Sequence, residues 1–233
     1  MSKITFKGVS NEDLGMVVSR MPDMVRPKRR YTKQEIPGRH GALYIDENAY
    51  ETISLNVVLN AFGNTDTDKI HEWLNGSGDL ILSDDPTKRY KAHAFLDMRS
   101  SRYRVGNNRN FDGVNVVFEC DPFRYESTPE QYPLNGRFTL TNPGTVPADP
   151  MIIVHGQGQV TLAVGDITVT LDNMDGVVSI DCDGKCAFKG ENDRTPTAIT
   201  LNEGEWPKLG LGNTLVDWVG NAKVTIIPNW RWL

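Results

Sequence analysis

The sequence predicts a mainly β protein with two domains and one short helix. Most of the chain alternates polar and apolar residues, or forms apolar runs of four to eight residues between turn residues. One segment alone has helical spacing. The 21 glycines and 13 prolines are concentrated between the apolar runs, as the turns of an antiparallel architecture require.

The predicted strands follow one another along both halves of the chain. The clearest are ALYIDENAYETISLNVVLNAF (42–62), YKAHAFLDM (90–98), FDGVNVVFEC (111–120), MIIVHGQGQVTLAVGDITVTLDN (151–173) and AKVTIIPNW (222–230). Six aliphatic side chains are predicted to form the core of the first sheet: Val57, Val58, Leu59, Val114, Val116 and Val117.

The helix is predicted in NTDTDKIHEWLNGSG (64–78). Asp66 or Thr67 can cap its first turn, and NGSG ends it. The apolar face of this helix consists of Ile70, Trp73 and Leu74.

A domain boundary is predicted within CDPFRYESTPEQYPLNG (120–136), because its three prolines interrupt strand pairing. We therefore expect domains at 1–128 and 129–233, the second a compact β-sandwich with glycine turns at HGQGQ and LDNMDG. Residues 1–128 are neutral, whereas 129–233 carry the whole net charge of −5. This acidity argues against general nucleic-acid binding by the second half.

Motifs for catalysis or metal binding are weak throughout. The sequence DCDGKC (181–186) lacks the remaining ligands of a calcium loop, and its two cysteines lack two further zinc ligands. We expect a glycine turn there, and Cys120, Cys182 and Cys186 as reduced thiols packed like small hydrophobic side chains. The four histidines have no pair or triad spacing. No catalytic residue, cofactor or metal is predicted, and the chain is expected not to be an enzyme.

The basic stretch RPKRRYTK (26–33) leaves two interpretations open. Such a run is usually a solvated strand face, but it also suits a surface that faces another subunit or phosphate groups. Neither an 18-residue apolar run nor an apolar amino-terminal segment is present, so we expect no membrane span and no secretory signal.

Several strings together resemble the distal tail proteins of phages with long, non-contractile tails. In the first half these are IPGRHGALYID (36–46), IHEWLNGSGDLILSDDPTKRYKAHAF (70–95) and NVVFECDPFRYE (115–126). In the second half they are VHGQGQVTLAVGDITVTLDNM (154–174), VSIDCDGKCAFKG (178–190) and WPKLGLGNTLVDWVGNAKVTIIPNWRW (206–232). The resemblance covers almost the whole chain, in order.

This resemblance implies an amino-terminal β-sandwich with one helix and a protruding hairpin or arm, followed by a galectin-like β-sandwich. It implies a homo-hexameric ring that joins the tail tube protein to the tail tip or hub protein and anchors receptor-binding proteins. Phage DNA would pass through the ring without sequence-specific binding. The implied location is the virion tail tip, assembled in the host cytoplasm, with no cofactor and no membrane contact.

In such a ring, the loop around RPKRRYTKQEIPGRHG (26–41) could reach the next subunit. Arg29, Arg30, Arg39 and His40 are therefore the expected inter-subunit contacts, the alternative being a solvated loop. The alternative function is a carbohydrate-binding module that recognises host cell-wall glycans, with Trp206 stacking on the sugar, although the polar array of sugar-binding galectins does not accompany it. The last strand is expected to pair inside the second sheet or to return to the first domain.

Overall fold

The computed structural model describes residues 2–62, 66–97, 101–105, 108–190 and 195–233. The chain divides into two compact units, one formed by residues 1–127 with residue 233 and the other by residues 128–232.

The first unit has one curled antiparallel sheet, a separate hairpin and a helix. Its strands are β1 (Ile4–Phe6), β2 (Val9–Ser10), β3 (Met16–Arg20), β4 (Arg29–Glu35), β5 (Ala42–Tyr50), β6 (Ile53–Ala61), β7 (Gly76–Leu82), β8 (Lys88–Asp97), β9 (Ser101–Val105) and β10 (Asn108–Glu126). The strand order of the sheet is β2-β1-β7-β8-β10-β6-β3, with β9 also pairing with β10. A 3₁₀ turn spans Glu12–Leu14.

The core of the first unit lies on one face of this sheet. Val57 and Leu59 of β6 and Val114 and Val116 of β10 are buried, because successive side chains of a strand point to opposite faces. Val58 and Val117 therefore lie on the other face, where they are only half-buried, so their predicted place in the core is wrong.

The helix α1 (Thr67–Trp73) covers this core where the sequence predicts it. The carboxylate of Asp66 accepts a hydrogen bond from the amide of Asp68 at 3.0 Å, which satisfies a donor of the first turn. Ile70, Trp73 and Leu74 are buried against the sheet, and the indole of Trp73 donates to the carbonyl of Phe6 at 2.9 Å. The predicted cap and apolar face are both confirmed.

Strands β4 and β5 form a two-stranded sheet of their own. They pair antiparallel from Arg29 opposite Tyr50 to Glu35 opposite Ala42, and residues 36–41 connect them. A register shift between Arg29 and Tyr31 marks a bulge near the base of this hairpin.

The second unit is a β-sandwich of long strands. Its strands are β11 (Tyr132–Leu134), β12 (Phe138–Asn142), β13 (Met151–Val164), β14 (Ile167–Asp181), β15 (Cys186–Lys189), β16 (Thr195–Pro196), β17 (Thr200–Leu201) and β18 (Gly212–Ile227). The short strand β19 (Arg231–Trp232) follows in the chain but is not part of this sheet. The order is β11-β18-β13-β14-β15-β16, with β12 on β18 and β17 on β14. A 3₁₀ turn spans Asn202–Gly204. Over the residues that the structure describes, the two units confirm the predicted mainly β fold class with one short helix and an extended hairpin.

Two predicted glycine turns of the second unit are wrong. HGQGQ lies inside β13 and LDNMDG lies inside β14, where glycines bend the strands without ending them. Similarly, β10 continues through Pro122 to Glu126, with a register shift between Cys120 and Arg124 that accommodates the proline. The predicted interruption of pairing therefore begins only after Glu126.

The strand β18 and the side chain of Trp230 are held inside the second unit. Residues 224–226 of β18 pair with β13 on one side and β11 on the other, and Trp230 is buried in the core. Beyond it, the guanidinium of Arg231 lies 2.8 Å from the carboxylate of Asp149 and donates to the carbonyl of Pro147. The expectation that the last strand pairs inside the second sheet or returns to the first domain stays a prediction.

Candidate interaction surfaces

The β4–β5 hairpin is the most exposed element among the described residues. Every residue of β4 is exposed, and β5 is half-buried only at its two ends. Its large exposed apolar side chains are Tyr31, Ile36, Leu43, Tyr44 and Ile45. An isolated two-stranded hairpin is marginally stable in water. Such a hairpin gains stability when another surface covers its apolar side chains.

Sequence reasoning missed these apolar residues because it emphasised the basic side chains nearby. The signal was nevertheless present, since Leu43, Tyr44 and Ile45 are consecutive. A strand with three consecutive apolar residues has apolar groups on both faces. A two-stranded sheet that stands alone cannot bury both faces by itself.

Arg29 is engaged within the hairpin. Its guanidinium donates to Asp46 at 2.9 Å through Nε and lies 2.7 Å from the other carboxylate oxygen through Nη2, a bidentate pair. Nη2 also lies 3.1 Å from the side-chain oxygen of Asn48, and the guanidinium lies 5.8 Å from the Tyr50 ring centroid. The Arg29 guanidinium lowers the pKa of Asp46 below its ordinary value, with the amide of Asn48 contributing a second hydrogen bond.

The other predicted contact residues lie further along the hairpin. Arg30 is exposed on β4, next to Arg29 in the chain, and Arg39 and His40 are exposed in the connection at the tip. Gly38 and Gly41 flank these two residues with φ angles of 79° and 82°, a conformation that favours glycine. The four predicted residues therefore share one hairpin but form two separate groups.

The base of the hairpin is attached to the first unit by aromatic packing. The rings of Tyr50 and Phe123 meet edge to face, with centroids 5.7 Å apart. The amide of Glu51 donates to the carbonyl of Lys28 at 2.8 Å, which closes the base. These contacts hold the start of the hairpin and leave its tip exposed.

Trp206 lies at the edge of the core of the second unit. It is half-buried and packs against the buried cluster, as do Trp218 and Trp232. Its predicted role as a sugar-stacking residue stays a prediction.

The most enzyme-like arrangement is on the first sheet. Ser77, His93 and Glu119 are cross-strand neighbours on β7, β8 and β10, and the Ser77 hydroxyl lies 2.8 Å from Nδ1 of His93. The cleft of about 330 Å³ around them is also lined by Asp79 and Asp121, and by a single lysine, Lys91. Because acyl transfer develops negative charge on the substrate, this acidic lining opposes the reaction.

The cysteines are free and do not form a metal site in the described part of the chain. Burial, with help from Asp121 and Glu119, raises the pKa of Cys120 to about 12, and burial likewise raises the pKa of Cys182. Cys186 is exposed, so its expected packing as a small hydrophobic side chain is wrong. The described residues contain no group of three His, Cys, Asp or Glu side chains placed to hold a metal ion.

The segment DCDGKC (181–186) forms a turn between two strands. The carboxylate of Asp181 accepts a hydrogen bond from the amide of Gly184 at 2.9 Å, as in a tight turn.

The fold and these surfaces define a class of protein. It is a mainly β chain of two units, and the most exposed element of its described residues is a hairpin. The cleft around Ser77, His93 and Glu119 has a mainly acidic lining. Within the described ranges, no helix is both long and apolar enough to cross a membrane.

The fold is similar to that of the crystal structure of the Dit (gp 19.1) protein of phage SPP1, described as a paradigm of the hub adsorption apparatus in phages that infect Gram-positive bacteria. The TM-score is 0.69, and the match covers 97% of this chain and 98% of the other. Sequence identity is 16%. Neither a protein-family model nor a curated protein sequence matches the chain.

Proposed function

We propose that this chain is a structural, non-enzymatic distal tail protein of a siphophage, located at the virion tail tip. The observation that carries the proposal is the fold match to a phage hub protein over nearly the whole of both chains. A match confined to one sandwich would be weak support, because β-sandwiches serve many functions. A match that extends through both units in order is more specific.

The exposed hairpin supports self-assembly. Its apolar side chains would be covered if each copy placed its hairpin against the next copy around a closed ring. A closed ring also leaves no copy with an uncovered hairpin. The hexameric copy number comes from the family resemblance.

The predicted contact residues fit this arrangement unequally. Arg30, Arg39 and His40 are exposed and can reach an acidic or polar surface of the next copy. Arg29 instead acts indirectly, because its pair with Asp46 holds together the two strands of the hairpin that carries the other three residues.

We propose that residues 1–128 form the ring and meet the tail tube and hub proteins. Residues 129–233 would be the galectin-like sandwich that anchors receptor-binding proteins, and phage DNA would pass through the ring.

The experiment is negative-stain electron microscopy of the purified full-length chain, combined with light scattering. We expect ring-shaped particles and a mass near six times the 26.1 kDa of one chain. Adding a purified tail tube protein from the same phage should increase the proportion of rings if tail partners promote closure.

A matched variant makes the result specific to the hairpin. Replacing residues 30–49 by a short Gly-Gly connection removes the apolar side chains and leaves the core of the first unit intact. This variant should remain folded by circular dichroism but form no rings. Monomers of the intact chain at every concentration, with and without the tube protein, would refute the ring.

A further inference from the structure

Two asparagines of the chain are followed directly by glycine: Asn75, before Gly76, and Asn135, before Gly136. In such a pair the amide nitrogen of the glycine can attack the side-chain carbonyl carbon of the asparagine, because glycine has no Cβ atom to obstruct the approach. The attack requires that the asparagine side chain and the peptide after it can turn toward each other. The local structure therefore decides which of the two pairs reacts.

Asn135 and Gly136 lie in the connection between β11 and β12. Both residues are exposed, and neither belongs to a strand. No hydrogen bond joins the side chain of Asn135 or the amide of Gly136 to another of the described residues. A Cβ atom on Gly136 would have no neighbour within 4 Å, so the space around this peptide is open. The attacking nitrogen and the carbonyl carbon can therefore meet without displacing other groups.

The strands on both sides of this connection are held in the sheet. Leu134 is buried and pairs with Val224, and Phe138 pairs with Val216, both on β18. Motion of an exposed connection costs less free energy than the opening of a paired strand. The reaction at Asn135 therefore leaves β11 and β12 in place.

Asn75 is restrained by comparison. It follows Leu74, the buried residue that ends α1, and Nζ of Lys7 donates a hydrogen bond to the backbone carbonyl of Asn75. Gly76 is the first residue of β7 and pairs with Ala94 of β8. Turning this peptide toward the Asn75 side chain would open the start of β7. The same pair of residue types is thus held in one place and open in the other.

We propose that Asn135 is a site of spontaneous deamidation. The amide nitrogen of Gly136 loses its proton to hydroxide and bonds to Cγ of Asn135, and the side-chain nitrogen leaves as ammonia after taking a proton from water. Water then opens the cyclic imide at either of the two bonds between its nitrogen and a carbonyl carbon, which gives aspartate or isoaspartate. Water is the only co-reactant, and no atom is oxidised or reduced.

The reaction changes both the charge and the backbone of the second unit. Each conversion adds one carboxylate to residues 129–233, which already carry a net charge of −5. Isoaspartate also directs the main chain through the former side-chain carbon, which lengthens the connection between β11 and β12. The reaction needs neither a ring nor a partner protein, so its outcome is independent of the proposed assembly.

The test incubates the full-length chain at mildly alkaline pH and follows both asparagines by peptide mapping with mass spectrometry. Methylation by protein isoaspartyl methyltransferase detects the isoaspartate. We expect Asn135 to convert about tenfold faster than Asn75, because Asn75 reacts only after local opening of β7. The rate at Asn135 should rise with pH, since the attacking nitrogen must lose its proton. A synthetic peptide of residues 132–138 gives the reference rate for an unrestrained chain.

Asn135→Gln is the decisive variant, because glutamine must close a larger ring and reacts far more slowly. It should remove most of the acidic species that isoelectric focusing shows after incubation. The matched control is Asn75→Gln, which should leave that species unchanged. Equal conversion of the two asparagines, or an acidic species that persists in Asn135→Gln, overturns the proposal. So does an Asn135 that stays intact in the protein while the reference peptide converts.

Discussion

Arg29 shows how a residue that looks like a contact residue in sequence can have an internal role. It lies in a basic run, yet its guanidinium is occupied by Asp46 and Asn48 on the partner strand. A planar guanidinium can bind both carboxylate oxygens at once, which a lysine cannot do. The identity of the partner depends on the hairpin register, so the sequence alone could not separate Arg29 from Arg30.

Arg29→Gln should raise the pKa of Asp46 toward its ordinary value, since Arg29 is the main cause of its depression. A depressed carboxyl pKa favours the folded hairpin above the pKa of the unfolded chain. This contribution is lost as the pH falls through the folded value. Carboxyl-detected NMR titration measures the change directly. An unchanged Asp46 pKa in the variant would show that the pair does not form.

Arg231→Ala should lower the free energy of unfolding by about 2 kcal/mol, because it leaves a largely buried carboxylate without its partner. The side chains of Arg231 and Asp149 are only 12% and 16% exposed. Chemical denaturation followed by tryptophan fluorescence measures the loss.

The matched control for Arg231 is Arg20→Ala. Arg20 pairs with Asp23, but these side chains are 68% and 80% exposed. Solvent screens such a pair, so its removal should change the free energy of unfolding by less than about 0.5 kcal/mol. Equal effects of the two substitutions would contradict the role assigned to Arg231.

For single elements, the sequence predicts the structure correctly where the deciding residues lie within one turn or one strand. The cap at Asp66 and the apolar face of α1 depend on neighbours within a few residues, and both are as predicted. The glycines of β13 and β14 are different. In sequence, a glycine that ends a strand and a glycine that bends a strand look alike. Pairing of the same strands on both sides of the bend decides between them, and that pairing is a property of the whole sheet.

Gly220→Ala should therefore destabilise the second unit by about 2 kcal/mol. Its φ of 122° suits glycine, and a Cβ atom there would lie 2.5 Å from the carbonyl oxygen of Gln159. Differential scanning calorimetry on the full-length chain measures the shift. Gly210→Ala is the control, because nothing lies within 4 Å of a Cβ atom there. A variant at Gly220 that melts like the control would show that the bend tolerates a side chain.

At the scale of the whole molecule, the fold class follows from periodicity, but the separate hairpin does not. In the sequence, residues 42–62 form one strand-rich segment. In the structure, β5 and β6 of this segment belong to different sheets. Burial distinguishes them: β6 alternates buried and exposed residues, and β5 is almost wholly exposed. The β4–β5 hairpin has no core of its own, so its stability depends on the surface that covers it. The periodicity of its own residues carries no information about that surface.

The proposed ring makes a prediction about charge. In Arg30→Glu/Arg39→Glu, two exposed cations of the hairpin become anions without any loss of apolar surface. If these cations face the next copy, the double variant should shift the population from rings to monomers. The intact rings should also weaken as salt rises, because salt screens exposed charges.

Light scattering over a concentration series, at low and high salt, measures both effects. Arg137→Glu is the control, since it changes an exposed cation in the second unit. It should leave ring formation unchanged. If the double variant assembles as well as the control, the hairpin meets its neighbour through apolar contacts alone. Tyr44→Ser, which removes a ring that is 63% exposed, should then be the substitution that prevents ring closure.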